Sequence, residues 1–117
     1  MTWTVLFSPE FMQWYQQQRP ELQDKAIAEL AKLEQYGPLL GRPWTDRVKG
    51  SAFVNMKELR FLFSGAPYRL FYAFDPQRRA VILCGGDKSN QKRFYEIYIR
   101  LADEAFSRHL LSVEKTK

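Results

Sequence analysis

The chain has 117 residues, of which 45% are hydrophobic and 15% are aromatic. This length fits one domain, and the apolar and aromatic content is too high for a disordered chain. Eighteen Lys and Arg residues against thirteen Asp and Glu residues give a formal charge of +5, which favours a polyanionic partner such as RNA, or an acidic protein.

The first part of the chain predicts a strand and two helices. Residues 3–7 alternate loosely between apolar and polar side chains, which is typical of a strand. The pair Ser8-Pro9 predicts a helix start, because serine caps helices and proline fits their first position. A second helix is predicted from Pro20, with apolar residues at helical spacing, until Gly37 ends it. Residues 37–52, rich in glycine, proline and charge, predict a connecting loop.

Three further strands are predicted after this loop. They are rich in β-branched and aromatic residues and cover residues 54–63, 68–74 and 79–84. Two turn sequences, Ser64-Gly65-Ala66-Pro67 and Asp75-Pro76-Gln77-Arg78, separate them. Short turns of this kind predict an antiparallel meander. Its last strand contains the single cysteine, Cys84, for which we expect the role of a small buried side chain.

The last segment predicts one long helix. Residues 90–111 carry apolar side chains at helical spacing, and we expect residues 112–117 to form a frayed tail. The element order is then β-α-α-β-β-β-α. This order predicts a single α+β domain over residues 1–117, with a small antiparallel sheet that packs an N-terminal helical hairpin and a C-terminal helix on a face.

The cellular compartment is indicated only by the lack of recognisable secretion and membrane-spanning signals. Residues 1–7 lack a basic run and a cleavage site, and no window approaches about 18 uninterrupted apolar residues. We therefore expect a cytoplasmic protein that has no contact with a membrane.

Charged side chains interrupt the predicted strand 54–63. Because successive strand residues point to opposite faces, Glu58 and Arg60 share one face and Lys57 lies on the other. A hairpin around Gly65 would bring Arg60 beside Arg69, close enough for both to contact one phosphate. The alternative is a structural ion pair on a solvated sheet face, formed by Glu58 with either arginine. A carboxylate that holds an arginine also preorganises it, so both interpretations stay open.

A basic and aromatic cluster follows the last predicted strand. Two glycines, Gly85-Gly86, would let the backbone approach a ligand closely, although an ordinary strand-to-helix turn would use them as well. The cluster spans eight residues and contains Lys88, Lys92, Arg93 and Tyr95. Cations beside aromatic rings are typical of a site that binds single-stranded RNA.

These residue types suit RNA cleavage without a cofactor. RNA supplies its own nucleophile, the 2′-hydroxyl, and arginines stabilise the charge that develops on the phosphorus. Glu58 or a lysine would be the base, and Tyr95 or Lys88 the acid. We expect His109, near the end of the last helix, to be structural. No His/Cys cluster with metal-ligand spacing is present, so the sequence predicts neither a metal nor another cofactor.

In order and spacing, the chain resembles the RelE/ParE superfamily of bacterial toxins, most closely its phage-derived HigB-like branch. Five stretches carry the resemblance: 54–60, 68–76, 85–89, 102–103 and 109–110. It implies a toxin of a type II toxin–antitoxin system that cuts mRNA on the translating ribosome. It also implies a small antitoxin partner, often with a helix-turn-helix. The alternative within the superfamily is a ParE-like inhibitor of DNA gyrase, or a degenerate protein that only binds its partner.

The resemblance also implies roles for single residues. Arg69 resembles the phosphate-binding arginine of the family and Arg60 a cation on the preceding strand, while Lys88 and Tyr95 resemble its C-terminal basic and tyrosine elements. Glu58 stands where RelE has lysine, so the acid and base roles transfer poorly. The remaining cations, expected to bind RNA, are Lys57, Lys92 and Arg93.

Overall fold

The computed structural model describes residues 2–115, which form a five-stranded sheet with helices on both faces. The elements in chain order are β1 (Val5–Phe7), α1 (Pro9–Gln16), α2 (Pro20–Tyr36), a 3-10 turn (Gly37–Leu39), β2 (Thr45–Arg47), β3 (Lys57–Phe63), β4 (Ala66–Phe74), β5 (Ala80–Asp87) and α3 (Phe94–Lys115). The sheet order is β1-β5-β4-β3-β2. The α+β class is confirmed. Within residues 2–115, no helix is long and apolar enough to cross a membrane.

Both predicted starts of the N-terminal helices are confirmed. Ser8 caps α1, because its hydroxyl oxygen accepts a hydrogen bond from the backbone N–H of Phe11 at 3.1 Å. The same hydroxyl donates to the backbone carbonyl of Leu83 at 3.0 Å, which ties the cap to β5. Pro20 begins α2, and the helix ends at Gly37, whose φ of 55° favours glycine.

The sheet differs from the prediction in two ways. It is mixed rather than antiparallel, because β1 pairs in parallel with β5, with Val5 opposite Ala80. The predicted loop 37–52 also contains β2, which pairs antiparallel with β3 so that Asp46 lies opposite Glu58. Strand β2 is only three residues long and all three are polar, so it lacks the apolar alternation that would reveal a strand.

Helices cover both faces of the sheet, whereas the sequence predicted packing on one. The helices α1 and α2 bury one face, with Phe11, Leu30 and Leu33 against residues such as Leu59 and Leu70. Helix α3 buries the other face, on which Phe94, Phe106 and others pack against Phe71, Val81 and Cys84. Adjacent residues Leu70 and Phe71 of β4 are both fully buried, as expected for a central strand covered on both sides.

The ends of several predicted elements differ in the structure: β4 begins at Ala66, inside the predicted turn, and β5 extends to Asp87, beyond the predicted end at Cys84. Strand β3 begins at Lys57 rather than Val54, and Val54 is 85% exposed in the preceding turn. Helix α3 begins at Phe94 rather than Asn90, because Asn90 has a left-handed φ of 55°. It continues through residues 112–115, which are helical rather than frayed, and residues 116–117 lie outside the described residues.

Candidate functional site

The hairpin of β3 and β4 places two arginines side by side. A turn at Ser64 and Gly65, both with positive φ, joins the strands, and Arg60 is the direct partner of Arg69 in the ladder. The predicted hairpin around Gly65 is thereby confirmed. Like charges directly opposite each other in a sheet are unfavourable, so this pair needs an anion nearby.

Glu58 supplies that anion from the same face. Its side chain is only 5% exposed. One carboxylate oxygen lies 3.4 Å from Nε of Arg60, and the other lies 3.6 Å from Nε of Arg69. The hydroxyl of Tyr95 donates to that second oxygen at 2.8 Å. The buried carboxylate is therefore the centre on which two guanidinium groups and one phenol converge, and we call these four residues the Glu58 cluster.

Tyr95 reaches the sheet from the first turn of α3. Its hydroxyl oxygen accepts a hydrogen bond from Nε of Arg69 at 3.3 Å. Burial raises the pKa of Tyr95, the bond from Arg69 opposes this, and Glu58 raises it further, so the pKa lies above its ordinary value. The phenol therefore keeps its proton at neutral pH and acts as a donor.

Lys88 completes the cluster's exposed side. Its ammonium group lies 5.4 Å from the ring centroid of Tyr95, within the range of a cation–π contact. The backbone N–H of Lys88 donates to the carbonyl of Pro67 at 2.8 Å, which ties the exit of β5 to the start of β4. Two cations, Arg60 and Arg69, thus contact the carboxylate, and a third, Lys88, lies against the ring of the neutral phenol.

Asp46 is a neighbour that the sequence did not reveal. It lies on β2, and its carboxylate is 4.0 Å from the guanidinium of Arg60. Arg42 holds the same carboxylate through two hydrogen bonds, at 3.1 and 3.2 Å, and these bonds keep the pKa of Asp46 below its usual range. No local pattern could have assigned Asp46 to the site, because its strand was not predicted.

Three predicted RNA contacts lie outside the Glu58 cluster. Lys57 is on the opposite face of β3, as the alternation predicted, beside Arg47. Lys92 is exposed ahead of α3, and Arg93 forms two hydrogen bonds, at 2.8 and 3.0 Å, with Glu96. These cations are not held toward the cluster.

The two glycines at the end of β5 serve packing. Gly86 pairs with Arg69, and a Cβ atom there would lie 2.7 Å from the ring of Tyr98. A Cβ atom on Gly85 would lie 2.6 Å from the side chain of Leu70. Both residues lie within β5 rather than in a turn after it, and both are needed for close packing, a role that the sequence did not predict.

His109 lies at another part of the molecule. Its Nε2 is 2.8 Å from Asp75, whose carboxylate also accepts two hydrogen bonds from Arg79, and its ring stacks on Phe106. This agrees with the expected structural role. Within residues 2–115, there is no group of three or more His, Cys, Asp and Glu side chains that could hold a metal ion.

The geometry of the Glu58 cluster suits an anion with several oxygens. Guanidinium groups present paired N–H donors in a fixed plane, and here two of them come from the body of a sheet rather than from loops. A neutral phenol beside them offers a proton. The arrangement can therefore bind a phosphodiester, stabilise extra negative charge on it and protonate a departing oxygen.

Sequence comparisons identify relatives along most of the chain. The family described as "Phage derived protein Gp49-like (DUF891)" matches residues 13–107. The Mycobacterium tuberculosis protein named "Putative toxin HigB3" is 39% identical over 109 residues, which cover 92% of this chain and 94% of that protein. "Putative toxin HigB2" of the same organism is 41% identical over 99 residues, and the match covers 83% of this chain but only 49% of HigB2, so the chain spans about half of that relative's length.

Solved structures agree on the fold. A double arginine-to-alanine mutant of the E. coli toxin RelE in the free state superposes with a TM-score of 0.62 at 13% identity, covering 92% of this chain and 98% of RelE. The toxin–antitoxin complex RelBE2 of M. tuberculosis contains a chain that matches with a TM-score of 0.56 at 19% identity, covering 75% of this chain and all of that one. The chain therefore belongs to the Gp49-like family of phage-derived proteins, is a relative of the HigB proteins, and has the fold of RelE.

Proposed function

We propose that the protein is the toxin of a type II toxin–antitoxin system, that it acts in the cytoplasm, and that it cuts mRNA on the translating ribosome. The single observation that carries this proposal is the convergence of Arg60, Arg69 and Tyr95 on the buried carboxylate of Glu58, with Lys88 against the ring of Tyr95. Its partner is an antitoxin, small and of the helix-turn-helix type, in keeping with the RelBE2 complex among its structural neighbours.

The proposed reaction is attack of the RNA 2′-hydroxyl on the adjacent phosphorus. The bond between that phosphorus and the 5′-oxygen of the next nucleotide breaks, which leaves a cyclic phosphate on one fragment and a 5′-hydroxyl on the other. Arg69 is the main contact to the phosphate oxygens, because its side chain is 12% exposed and is held by both Glu58 and Tyr95. Arg60, which is 36% exposed, and Lys88 add positive charge from the open side.

Tyr95 is the proposed general acid. Its pKa lies above the ordinary value, so the hydroxyl is protonated at neutral pH and can pass its proton to the departing 5′-oxygen. Two candidates remain for the base. Glu58 accepts the 2′-hydroxyl proton only when Tyr95 has turned away from it, since both of its oxygens are engaged. Lys88 is a base only as a neutral amine, and in that form it adds no positive charge to the site.

The test is expression of the protein in growing cells, with mRNA 5′ ends mapped after induction. We expect a rapid stop in translation and new 5′ ends inside coding regions. A DNA-damage response with intact mRNA would instead support gyrase inhibition. The absence of arrest and of both changes would indicate a degenerate protein that only binds its partner.

The site is tested by substitution of Arg69. We expect Arg69→Ala to lower mRNA cleavage by about 10²-fold or more, as does removal of an oxyanion donor. Arg69→Lys should restore only part, because an ammonium group lacks the two-pronged geometry. Arg108→Ala is the control, since Arg108 is an exposed, ion-paired arginine bound to Glu10. Cleavage by folded Arg69→Ala at near the parent rate would refute the proposed role.

The same assay tests the proposed independence of metal. Programmed ribosomes are treated with EDTA to remove trace transition metals, and magnesium is then restored. Cleavage should continue, because arginine, lysine and tyrosine supply the proposed charge and proton transfers. Loss of cleavage that zinc or manganese alone restores would contradict the metal-free mechanism.

A further inference from the structure

An exposed apolar groove lies at the junction of α2, the 3-10 turn and β2. It has a volume of about 580 Å³ and is lined by Tyr36, Leu39, Leu40 and Trp44, which we call the Trp44 groove. Leu39 is 89% exposed, Tyr36 49% and Trp44 45%. Large apolar side chains that are exposed next to one another often mark interaction sites. No step of the proposed RNA cleavage uses them.

The backbone that frames the Trp44 groove is held in place. Leu40 is buried, and its carbonyl accepts a hydrogen bond from the hydroxyl of Thr45 at 2.8 Å. The carbonyl of Trp44 accepts one from the backbone N–H of Arg60, also at 2.8 Å. The groove is therefore formed before a ligand arrives, which lowers the entropy cost of binding.

Positive charge borders the groove on its β2 side. A shallow depression shares Leu40 and Arg42 with the groove and adds Arg47 and Lys57, with Asp46 as its acidic residue. Three cations thus stand against one carboxylate, and that carboxylate is already bound by Arg42. This position also gives a place to Lys57, which the Glu58 cluster does not use.

We propose that the Trp44 groove and its basic border bind a segment of the antitoxin in which large apolar side chains are followed by Asp or Glu. The inference rests on the proposed function only for the identity of the partner, since the surface itself needs no catalysis. Its size lies within the range of about 300–1,000 Å³ that ligand pockets occupy, enough for several side chains.

The lining favours a protein segment over RNA. Leucine side chains offer no hydrogen bonds to base edges, and Lys32 already lies 5.4 Å from the ring centroid of Trp44. A base would stack on an aromatic face that this cation partly covers. Apolar side chains instead gain free energy from burial against Leu39 and Tyr36, and carboxylates on the same segment meet the border cations.

The test selects random twelve-residue peptides on phage against the purified full chain, without ribosomes or RNA. We expect a consensus that joins Leu, Ile or Phe to Asp or Glu. The best peptide is then synthesised, and its affinity is measured by calorimetry against variants. Leu39→Asp and Arg47→Glu should each weaken binding about 10-fold or more. Leu39→Asp places a charge in an apolar contact, and Arg47→Glu places a negative charge opposite the acidic residues of the peptide.

Two matched controls carry the same chemistry elsewhere. Leu111→Asp changes a leucine that is 57% exposed on α3, and Arg108→Glu reverses an exposed arginine. Neither should alter peptide affinity. Selected peptides that lack acidic residues, or that bind Leu39→Asp and Arg47→Glu as well as the parent, would overturn the inference. The inference would also be overturned if no peptide were selected and the chain bound single-stranded RNA in a way that Leu39→Asp abolishes. Either failure leaves the mRNA cleavage result intact, because the two assays share no component beyond the chain.

Discussion

Neutralising Glu58 should destabilise the fold strongly. Glu58→Gln keeps the side-chain shape and removes the charge that lies 3.4 Å from Arg60 and 3.6 Å from Arg69. Removing one partner of a buried ion pair costs about 3–5 kcal/mol of folding stability. The ion pair with Arg60 contributes less than this, because the Arg60 side chain is 36% exposed to solvent. We expect a loss of about 2–3 kcal/mol, which at an m value of about 1.5 kcal/mol/M lowers the urea midpoint by about 1.3–2 M.

A second substitution, Arg60→Gln, should change stability in opposite directions in the parent and in Glu58→Gln. In the parent protein, Arg60→Gln removes a cation from beside Glu58 and should destabilise. In Glu58→Gln, Arg60 faces Arg69 with only the Asp46 carboxylate near it, at 4.0 Å, so Arg60→Gln should stabilise. Urea unfolding of the four proteins measures both effects, and Glu96→Gln, at an exposed ion pair, should stay within about 0.5 kcal/mol of the parent. The reasoning is wrong if Glu58→Gln also stays within that limit, or if Arg60→Gln has one sign in both backgrounds.

Three further predictions concern other buried groups. Tyr72 is fully buried, and its hydroxyl makes no well-aligned hydrogen bond among residues 2–115; burial raises its pKa to about 12, although interaction with Thr45 opposes this. Tyr72→Phe should therefore match or exceed the parent's stability by up to about 1 kcal/mol, and its stability in urea should decline less than the parent's between about pH 10, where the unfolded phenol ionises, and pH 12. Gly86→Ala should lower the free energy of unfolding by about 1–3 kcal/mol through overpacking. Gly41→Ala, whose Cβ would have its nearest contact at 4.0 Å, should leave it unchanged, and thermal melts of both variants measure the difference. Burial raises the pKa of Asp75, but hydrogen bonds, chiefly from Arg79, outweigh burial and lower it. The Asp75 carboxylate therefore stabilises the fold above the ordinary pKa of an aspartate, and this stabilisation is lost as the pH falls through the folded-state pKa. In thermal melts at decreasing pH, Asp75→Asn should lose less stability than the parent.

Local chemistry explains what could be predicted from the sequence. The cap at Ser8 and the turn at Gly65 depend on residues within a few positions of each other, so their patterns are visible in the chain. The turn then fixes the strand register, which is why the amino-acid pattern was enough to put Arg60 beside Arg69. Strand alternation likewise separated Lys57 from the residues of the site.

Distant pairing explains what could not be predicted. Strand β2 exists because it pairs with β3, and its three residues carry no pattern of their own. The hydrogen bond between Tyr95 and Glu58 joins residues 37 positions apart. Its presence depends on the path of α3 across the sheet, as does the packing role of Gly86 beneath Tyr98. No spacing in the sequence encodes that path.

The two halves of the Glu58 cluster have different local stability. Strand β4, which carries Arg69, is hydrogen-bonded to neighbours on both sides, so exposing its backbone requires disruption of the sheet. Tyr95 lies at the second residue of α3, directly after residues 88–93, which belong to no helix or strand. Fraying of one helical turn is therefore enough to release its hydroxyl from Glu58. Under the proposed function, the tyrosine exchanges the carboxylate for a phosphate oxygen while the arginines stay fixed, so the internal carboxylate takes the place of the phosphate until RNA binds.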